Sequence, residues 1–287
     1  MTKLAYLSSS ALCALALVAG VSPAAADGVM GGTDIYGSVN FGYNWLNYDP
    51  DGLSDFHNNT FVAQGAFGVP VGGNWSIEGN FSFETQQFDN NGLPINFSVD
   101  TWQVGGVAVY NFEGQGRLGF DLAYQTIDAG ISVDGYRVGA RGEYYLQPNA
   151  TLRGIAGYQN FDDSGITADG FYGGAGGSYY FTRNIGVRGE IDYYTFNLGG
   201  VGPFSTDYDV WDFGAKLQYK CDDYPLVFGG HVNYATVDAF GGDTNVWTVG
   251  VDLTALFGSG ASKASLRDAE VNSTFEPMRI GMTYQTF

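Results

Sequence analysis

The sequence predicts an all-β chain that closes into a membrane-spanning, antiparallel up-and-down barrel, and three observations carry that expectation. An export signal opens the chain, alternating segments of about ten residues follow one another, and turn-forming clusters separate them at regular intervals. Composition agrees. With 44 Gly, 20 Tyr and 21 Phe beside only 15% charged residues, strand and turn formers are abundant where helix formers are scarce.

Taken in chain order, Lys3 supplies a positive start, and Ala11 to Val21 supplies an apolar stretch. Ala24, Ala25 and Ala26 then offer the small residues that favour cleavage before Asp27. The apolar stretch falls short of the ~18 residues of a membrane helix, and no later segment reaches that length. The expected division is a signal peptide over 1–26 and one barrel domain over 27–287. Removing 26 of 287 residues leaves 261. Cys13 leaves with the signal, so Cys221 has no partner for an intramolecular disulfide, and rigidity must come from a closed hydrogen-bonded ladder. Lys3 leaves too, so 11 basic residues face 30 acidic ones and the net charge moves from −18 to −19. Such a chain excludes nucleic acid as a partner.

A weak repeat with a period of roughly forty residues runs along the rest. Six times an alternating segment ends in an apolar residue, then Asp or Asn, then a Gly-containing loop. Examples are Tyr48-Asp49-Pro50-Asp51-Gly52, Phe88-Asp89-Asn90-Asn91-Gly92, Ile127-Asp128-Ala129-Gly130 and Phe161-Asp162-Asp163-Ser164-Gly165. Asp, Asn and Gly suit these places because they tolerate turn dihedrals and bond their own backbone. Shorter turns lie between, such as Val71-Gly72-Gly73-Asn74, Tyr110-Asn111-Phe112-Glu113-Gly114 and Tyr179-Tyr180-Phe181-Thr182-Arg183-Asn184. Long loops are therefore expected on one rim and tight turns on the other, the periplasmic one.

The segments between have period two. Trp75, Ile77, Phe81 and Phe83 alternate with Ser76, Glu78, Asn80, Ser82 and Glu84, and Phe213, Ala215 and Leu217 alternate with Asp212, Lys216 and Gln218. Twelve such strands run from Ile35 to Phe257. An ascending strand near 261–268 and a closing strand near 278–287 bring the expected count to fourteen, with twelve as the fallback. A soluble sandwich also alternates. Uniform lengths near ten, against about five or six for soluble strands, favour the membrane, as do aromatic residues at both strand ends and at the terminus.

The last nine residues, Arg279-Ile280-Gly281-Met282-Thr283-Tyr284-Gln285-Thr286-Phe287, resemble the C-terminal strand of bacterial porins. In that family such a strand, here with Gly281, Tyr284 and a final Phe287, is recognised by the barrel-assembly machinery. Ile280, Met282 and Tyr284 share one parity, and Phe287 falls one residue out of it, a departure a terminal bulge can absorb. Tyr179 to Glu190 is similar to hairpins of outer-membrane barrel families. The resemblance implies a Gram-negative outer-membrane location, contact with lipid and lipopolysaccharide, and diffusion of small solutes without a cofactor. It names no solute.

If the apolar parity faces lipid, the other parity lines a lumen. Its charged members are Arg117, Arg137, Arg141, Arg153, Arg188, Lys216 and Lys220 against Glu78, Glu84, Asp121, Glu143, Glu190, Asp192, Asp212 and Asp252. Buried charges persist only when paired or wetted, so the lumen is either a water-filled pore with facing charges or a filled network. Fourteen strands would make a cylinder too wide for side chains to fill, and no segment has the length of a plug domain. An open pore is therefore expected, with Arg137, Arg141, Arg188, Glu143, Glu190 and Asp192 at its narrowest level. No continuous aromatic lane appears on this parity.

The acidic excess gathers in the outer loops, at Asp49, Asp51, Asp89, Asp128, Asp162, Asp163 and Asp238, without Lys or Arg. Asp suits loops anyway, but the cluster would also make an electronegative mouth that concentrates cations and is screened by salt. Divalent cations could bridge these carboxylates to one another or to lipopolysaccharide, although the spacing is not that of an EF-hand. Only His57 and His231 could act as neutral-pH bases, and neither a nucleophile context nor a metal-ligand cluster accompanies them, which argues against an enzyme. The expected function is a passive, modestly cation-preferring channel for small hydrophilic solutes. A non-conducting surface barrel serving adhesion or envelope integrity is the rival.

Overall fold

The computed structural model describes residues 35–277 apart from 51–54, 90–96, 113, 131, 164–165, 200–205, 240–241 and 259. Twelve strands follow one another: β1 (Tyr36–Pro50), β2 (Phe56–Gly72), β3 (Trp75–Asp89), β4 (Phe97–Phe112), β5 (Gly116–Asp128), β6 (Ser132–Gln147), β7 (Ala150–Asp163), β8 (Ile166–Tyr180), β9 (Ile185–Gly199), β10 (Thr206–Lys220), β11 (Leu226–Ala239) and β12 (Gly242–Phe257). A short helix, α1 (Leu266–Val271), comes after them. Every strand pairs antiparallel with its neighbours in sequence, and β12 returns to β1, with Gly37 opposite Phe257 and Pro50 opposite Thr244. The ring closes without an edge, as a backbone in hydrocarbon requires.

The barrel therefore has twelve strands, the fallback count, and the count of fourteen is corrected. Once β12 has taken the free edge of β1, no edge remains for residues 261–268 to extend. They form turns and the start of α1 instead. The sequence favours this locally. Ser265 caps the helix, its Oγ accepting the Asp268 N–H at 3.0 Å and donating to the Asp268 carboxylate at 2.7 Å. The expected closing strand at 278–287, with Gly281, Tyr284 and Phe287, and the expected signal at 1–26 lie outside the described residues.

The strands run from 13 to 17 residues, longer than the ten expected. About ten cross the hydrocarbon core and the rest continue the wall past it. Asp49, Asp89, Asp128, Asp162, Asp163 and Asp238 are thus ladder residues at strand ends rather than loop residues. The expected contrast between long loops and tight turns shrinks accordingly. Two residues separate Asp163 from Ile166, no more than separate Gly72 from Trp75. The rim is identified instead by the chain ends. Ile35 and Gly258 share it with the β2–β3 turn, where Gly72 and Gly73 take φ of +128° and +57°, values that a side chain would strain.

Alternation divides the wall cleanly. Phe120, Leu122 and Tyr124 of β5 are exposed while Asp121, Ala123 and Gln125 are buried, and the other strands follow the same pattern. Aromatic pairs stud the outer surface near both rims. Trp75–Tyr110 and Tyr179–Phe181 pack edge to face at 5.1 and 5.2 Å on one, and Tyr193–Trp211 and Tyr234–Trp247 at 4.8 Å stand nearer the other. Leu122, 60% exposed at the middle of β5, faces the bilayer centre on this reading. Leu122→Arg should destabilise the barrel by about 2–4 kcal/mol in urea unfolding from lipid vesicles. An unchanged midpoint would show that this face does not meet lipid.

Candidate functional site in the barrel lumen

All fifteen charged residues expected to line the lumen stand on the inward parity. Several pair with one another across the wall. Arg117 Nε meets Glu143 at 2.9 Å, Arg137 meets Asp121 at 3.2 Å, Arg141 shares the same Asp121 carboxylate, and Lys216 meets Asp252 at 3.0 Å. The register makes these pairs. Arg117 lies opposite Glu143 on β5–β6, whereas Asp121 lies opposite Gly139, midway between Arg137 and Arg141, so both guanidiniums reach it diagonally. His231 joins the last pair, with Nδ1 at 3.7 Å from Asp252.

The expected absence of a plug is corrected. After β12 the chain turns at Gly258 and Gly260 (φ +112° and +73°), and residues 260–277 enter the lumen from the rim that holds the chain ends. Glu270 of α1 is gripped by the wall. Arg153 pairs with it, Arg188 Nη2 lies at 3.2 Å, and the Ser178 and Tyr180 hydroxyls donate at 2.9 and 2.7 Å. Arg188 also reaches the half-exposed Glu276 at 2.7 Å. Two carbonyls are held as well: Arg117 donates to Ser273 O, and Arg141 donates to Glu276 O at 2.6 Å. Phe275 is buried against Val107 and Val109, with the Arg117 and Arg141 guanidiniums 4.1 and 5.4 Å from its ring centroid. Its N–H donates to Glu78 at 2.8 Å.

Gly119 makes this seat. A Cβ there would stand 2.8 Å from the Phe275 ring, so only a bare Cα leaves room for it. Burial alone would push the Glu270 carboxyl up, but Arg188 and Arg153 outweigh it and hold the group below its ordinary value.

Toward the opposite rim apolar and aromatic side chains gather in the lumen among buried polar ones such as Asn58, Gln86 and Gln125. Tyr48, Tyr172, Tyr194, Phe196 and Tyr208 pack with Leu46, Val210 and Val237 into one buried cluster. The inward parity thus carries an aromatic cluster that strand-by-strand reading dispersed, because its members come from different strands and meet only when the ring closes. Between this cluster and the segment lies a cavity of about 100 Å³, lined among others by Arg153, Glu190, Asp192, Tyr194, Phe275 and Glu276. It has room for an ion and water but not for a solute needing the ~300 Å³ of a ligand pocket.

At the outer rim Asp49, Asp128, Asp162 and Asp238 are exposed, and Asp51 lies outside the described residues. Among the described residues no group of three acidic, His or Cys side chains is placed to hold a metal. His57 is exposed on β2, away from His231. The contacts that sequence reasoning missed are those of Glu270, Phe275, Glu276, Ser178 and Tyr180. Ser265-Leu266-Arg267-Asp268 was the available signal, a helix cap where a strand was expected.

Several solved structures are similar in fold. An outer membrane channel from Pseudomonas putida F1 superposes with a TM-score of 0.57 at 9% identity, over 80% of this chain and 97% of that one. The β domain of the Bordetella autotransporter BrkA gives 0.53 at 12%, over 77% and 100%. Identities this low speak for the fold alone. No curated protein sequence matches the chain. Residues 11–220 match the outer membrane protein beta-barrel domain, more than half of the chain. With its edge-free ring, lipid-facing parity and aromatic bands, this protein belongs to the outer membrane protein beta-barrel family and resides in the bacterial outer membrane.

Proposed function

We propose that the barrel is a channel for small hydrophilic solutes, modestly cation-preferring, whose lumen is closed in this conformation by residues 260–277. One observation carries the reading: the segment fills the half of the lumen on its own side without sharing a rung of the ladder. Backbone to backbone, it meets the wall once among the described residues, where Leu266 N–H donates to Arg183 O at 2.7 Å. Its other ties are side-chain bonds that can break while Arg117–Glu143, Arg137–Asp121 and Lys216–Asp252 hold the wall. The exposed aspartates of the outer rim favour cation entry, and they would associate with divalent cations and lipopolysaccharide loosely rather than at a built site. Assembly would use Gly281, Tyr284 and Phe287 as the strand read by the barrel-assembly machinery.

The rival, a non-conducting surface barrel, is favoured by the aromatic cluster of the outer half. If those rings stay packed, no ion crosses even when the segment leaves. Single-channel recording of the refolded protein separates the two. Removing one partner of a buried ion pair costs about 3–5 kcal/mol, so Glu270→Gln should raise open probability by about two to three orders of magnitude. A folded, heat-modifiable variant that stays silent, even with Phe196→Ala added, would establish the surface barrel.

Acidity should act in the same direction. Because its pKa is depressed when docked, Glu270 holds the segment fully above its unfolded value of about 4.3, and the hold is lost as pH falls through the lower docked value. Wild-type conductance should be flat from about pH 8 to 5 and rise below about pH 4. A rise on the alkaline side instead would contradict the Glu270 latch. In a salt gradient the reversal potential should favour K⁺ over Cl⁻ at about 0.1 M and lose that bias near 1 M, where the Debye length shrinks to about 3 Å. Selectivity for Cl⁻ would remove the acidic rim from the account.

A further inference from the structure

The guanidiniums and the Lys216 ammonium of this region are committed to carboxylates, yet two lumenal carboxylates are left over. Glu190 and Asp192 of β9 both line the cavity beneath the segment, and among the described residues neither makes a hydrogen bond or an ion pair. Asp192 is only 5% exposed. Its position is built rather than incidental, because the carboxylate occupies the space that a Cβ on Gly174 would take. Directly across the β9–β10 ladder from it stands a further buried acid, Asp212. The half-exposed Glu276 of the docked segment completes the cavity on the side away from the wall.

Ionised carboxylates in such surroundings persist only with a counter-charge. The side chains do not converge as a directly ligated metal requires, and Ca²⁺ in particular wants six to eight oxygens at about 2.3–2.6 Å. A cavity of about 100 Å³ does hold a small ion with water.

We propose that this cavity binds one small monovalent cation of the Na⁺ or K⁺ class, held by Asp192 and Glu190 on the wall and, through water, by Glu276 on the segment. The ion then joins wall and segment, and its occupancy favours the closed conformation by mass action. This inference rests on the docked segment of the proposed channel, and not on conduction.

The refolded full-length chain is tested at pH 7.5 in NaCl and in N-methyl-D-glucamine chloride of equal ionic strength, the organic cation being too large for the cavity. Sodium should raise the heat-modifiability midpoint by about 3 °C, saturably, and the ²³Na resonance should broaden and sharpen again when KCl displaces the ion. In Asp192→Asn, which keeps the volume, the difference between the two salts should vanish. Glu190→Gln reads the same site should the first variant not refold. Equal midpoints and an unbroadened resonance in the wild type would overturn the proposal and leave protons as the neutralising charge. A sodium effect that survives in both variants would overturn it too, since the ion would then sit elsewhere. A sodium effect abolished by Asp192→Asn in a barrel that never conducts would sustain the site while the channel reading fell.

Discussion

A peptide group facing hydrocarbon has no water to bond, so every backbone donor and acceptor of the wall must be paired with a neighbouring strand. From this constraint follow the antiparallel ring, the β12–β1 seam and the absence of a free edge for the chain that follows Phe257. It also fixes the width. About eight strands enclose a space that side chains can fill, and sixteen to eighteen leave an aqueous channel. Twelve lie between, and here the surplus is occupied from two sides: by an aromatic cluster toward the outer rim, and by residues 260–277 toward the other.

The same contacts settle a second requirement. Arginines on β5 to β9 put positive charge where water is scarce, and such charges must be paired. The wall supplies part of the pairing through Glu143 and Asp121. The segment supplies the rest, through Glu270 for Arg153 and Arg188 and through the carbonyls of Ser273 and Glu276 for Arg117 and Arg141. Volume and charge are therefore met by one element. It cannot leave part-way without exposing both Phe275 and two guanidiniums, which makes docking cooperative rather than graded.

Much of this was legible in the sequence because a barrel strand has one simple code. Parity alone assigned Glu78, Arg137, Arg188 and the other charged lumen residues to the inner face, and strand-end aromatics marked the bands. Four features escaped for physical reasons. Asp49 or Asp128 reads as a turn residue, although Asp can hold the last rung of a ladder with its side chain in water. The count of fourteen rested on two further strands read beyond Phe257, where the ring has already closed on β1. Glu270 and Glu276 drew no reading because nothing in a linear pattern says that a six-residue helix will fold back into the lumen. Gly119 and Gly174 were equally opaque, since a socket becomes visible only with its occupant.

The leftover acids of β9 take their meaning from the two states of the segment. With the segment docked, Arg153 and Arg188 are taken by Glu270 and Glu276, and among the described residues Glu190 and Asp192 line the cavity without a hydrogen bond or a close ion pair. With the segment gone, those two guanidiniums lose their acids while Arg117, Arg141 and Lys216 keep Glu143, Asp121 and Asp252. Glu190 lies two residues from Arg188 on the same face of β9, and Arg153 stands on the same cavity wall. The β9 acids are thus the nearest replacement counter-charges for the vacated arginines. A lumen arranged this way pays for neither state with an isolated buried charge: a small cation neutralises the acids when the segment is in, and the arginines do so when it is out. Such near-balance is what a reversible closure needs, because a ligand or a proton can shift an equilibrium only by its differential affinity for the two states.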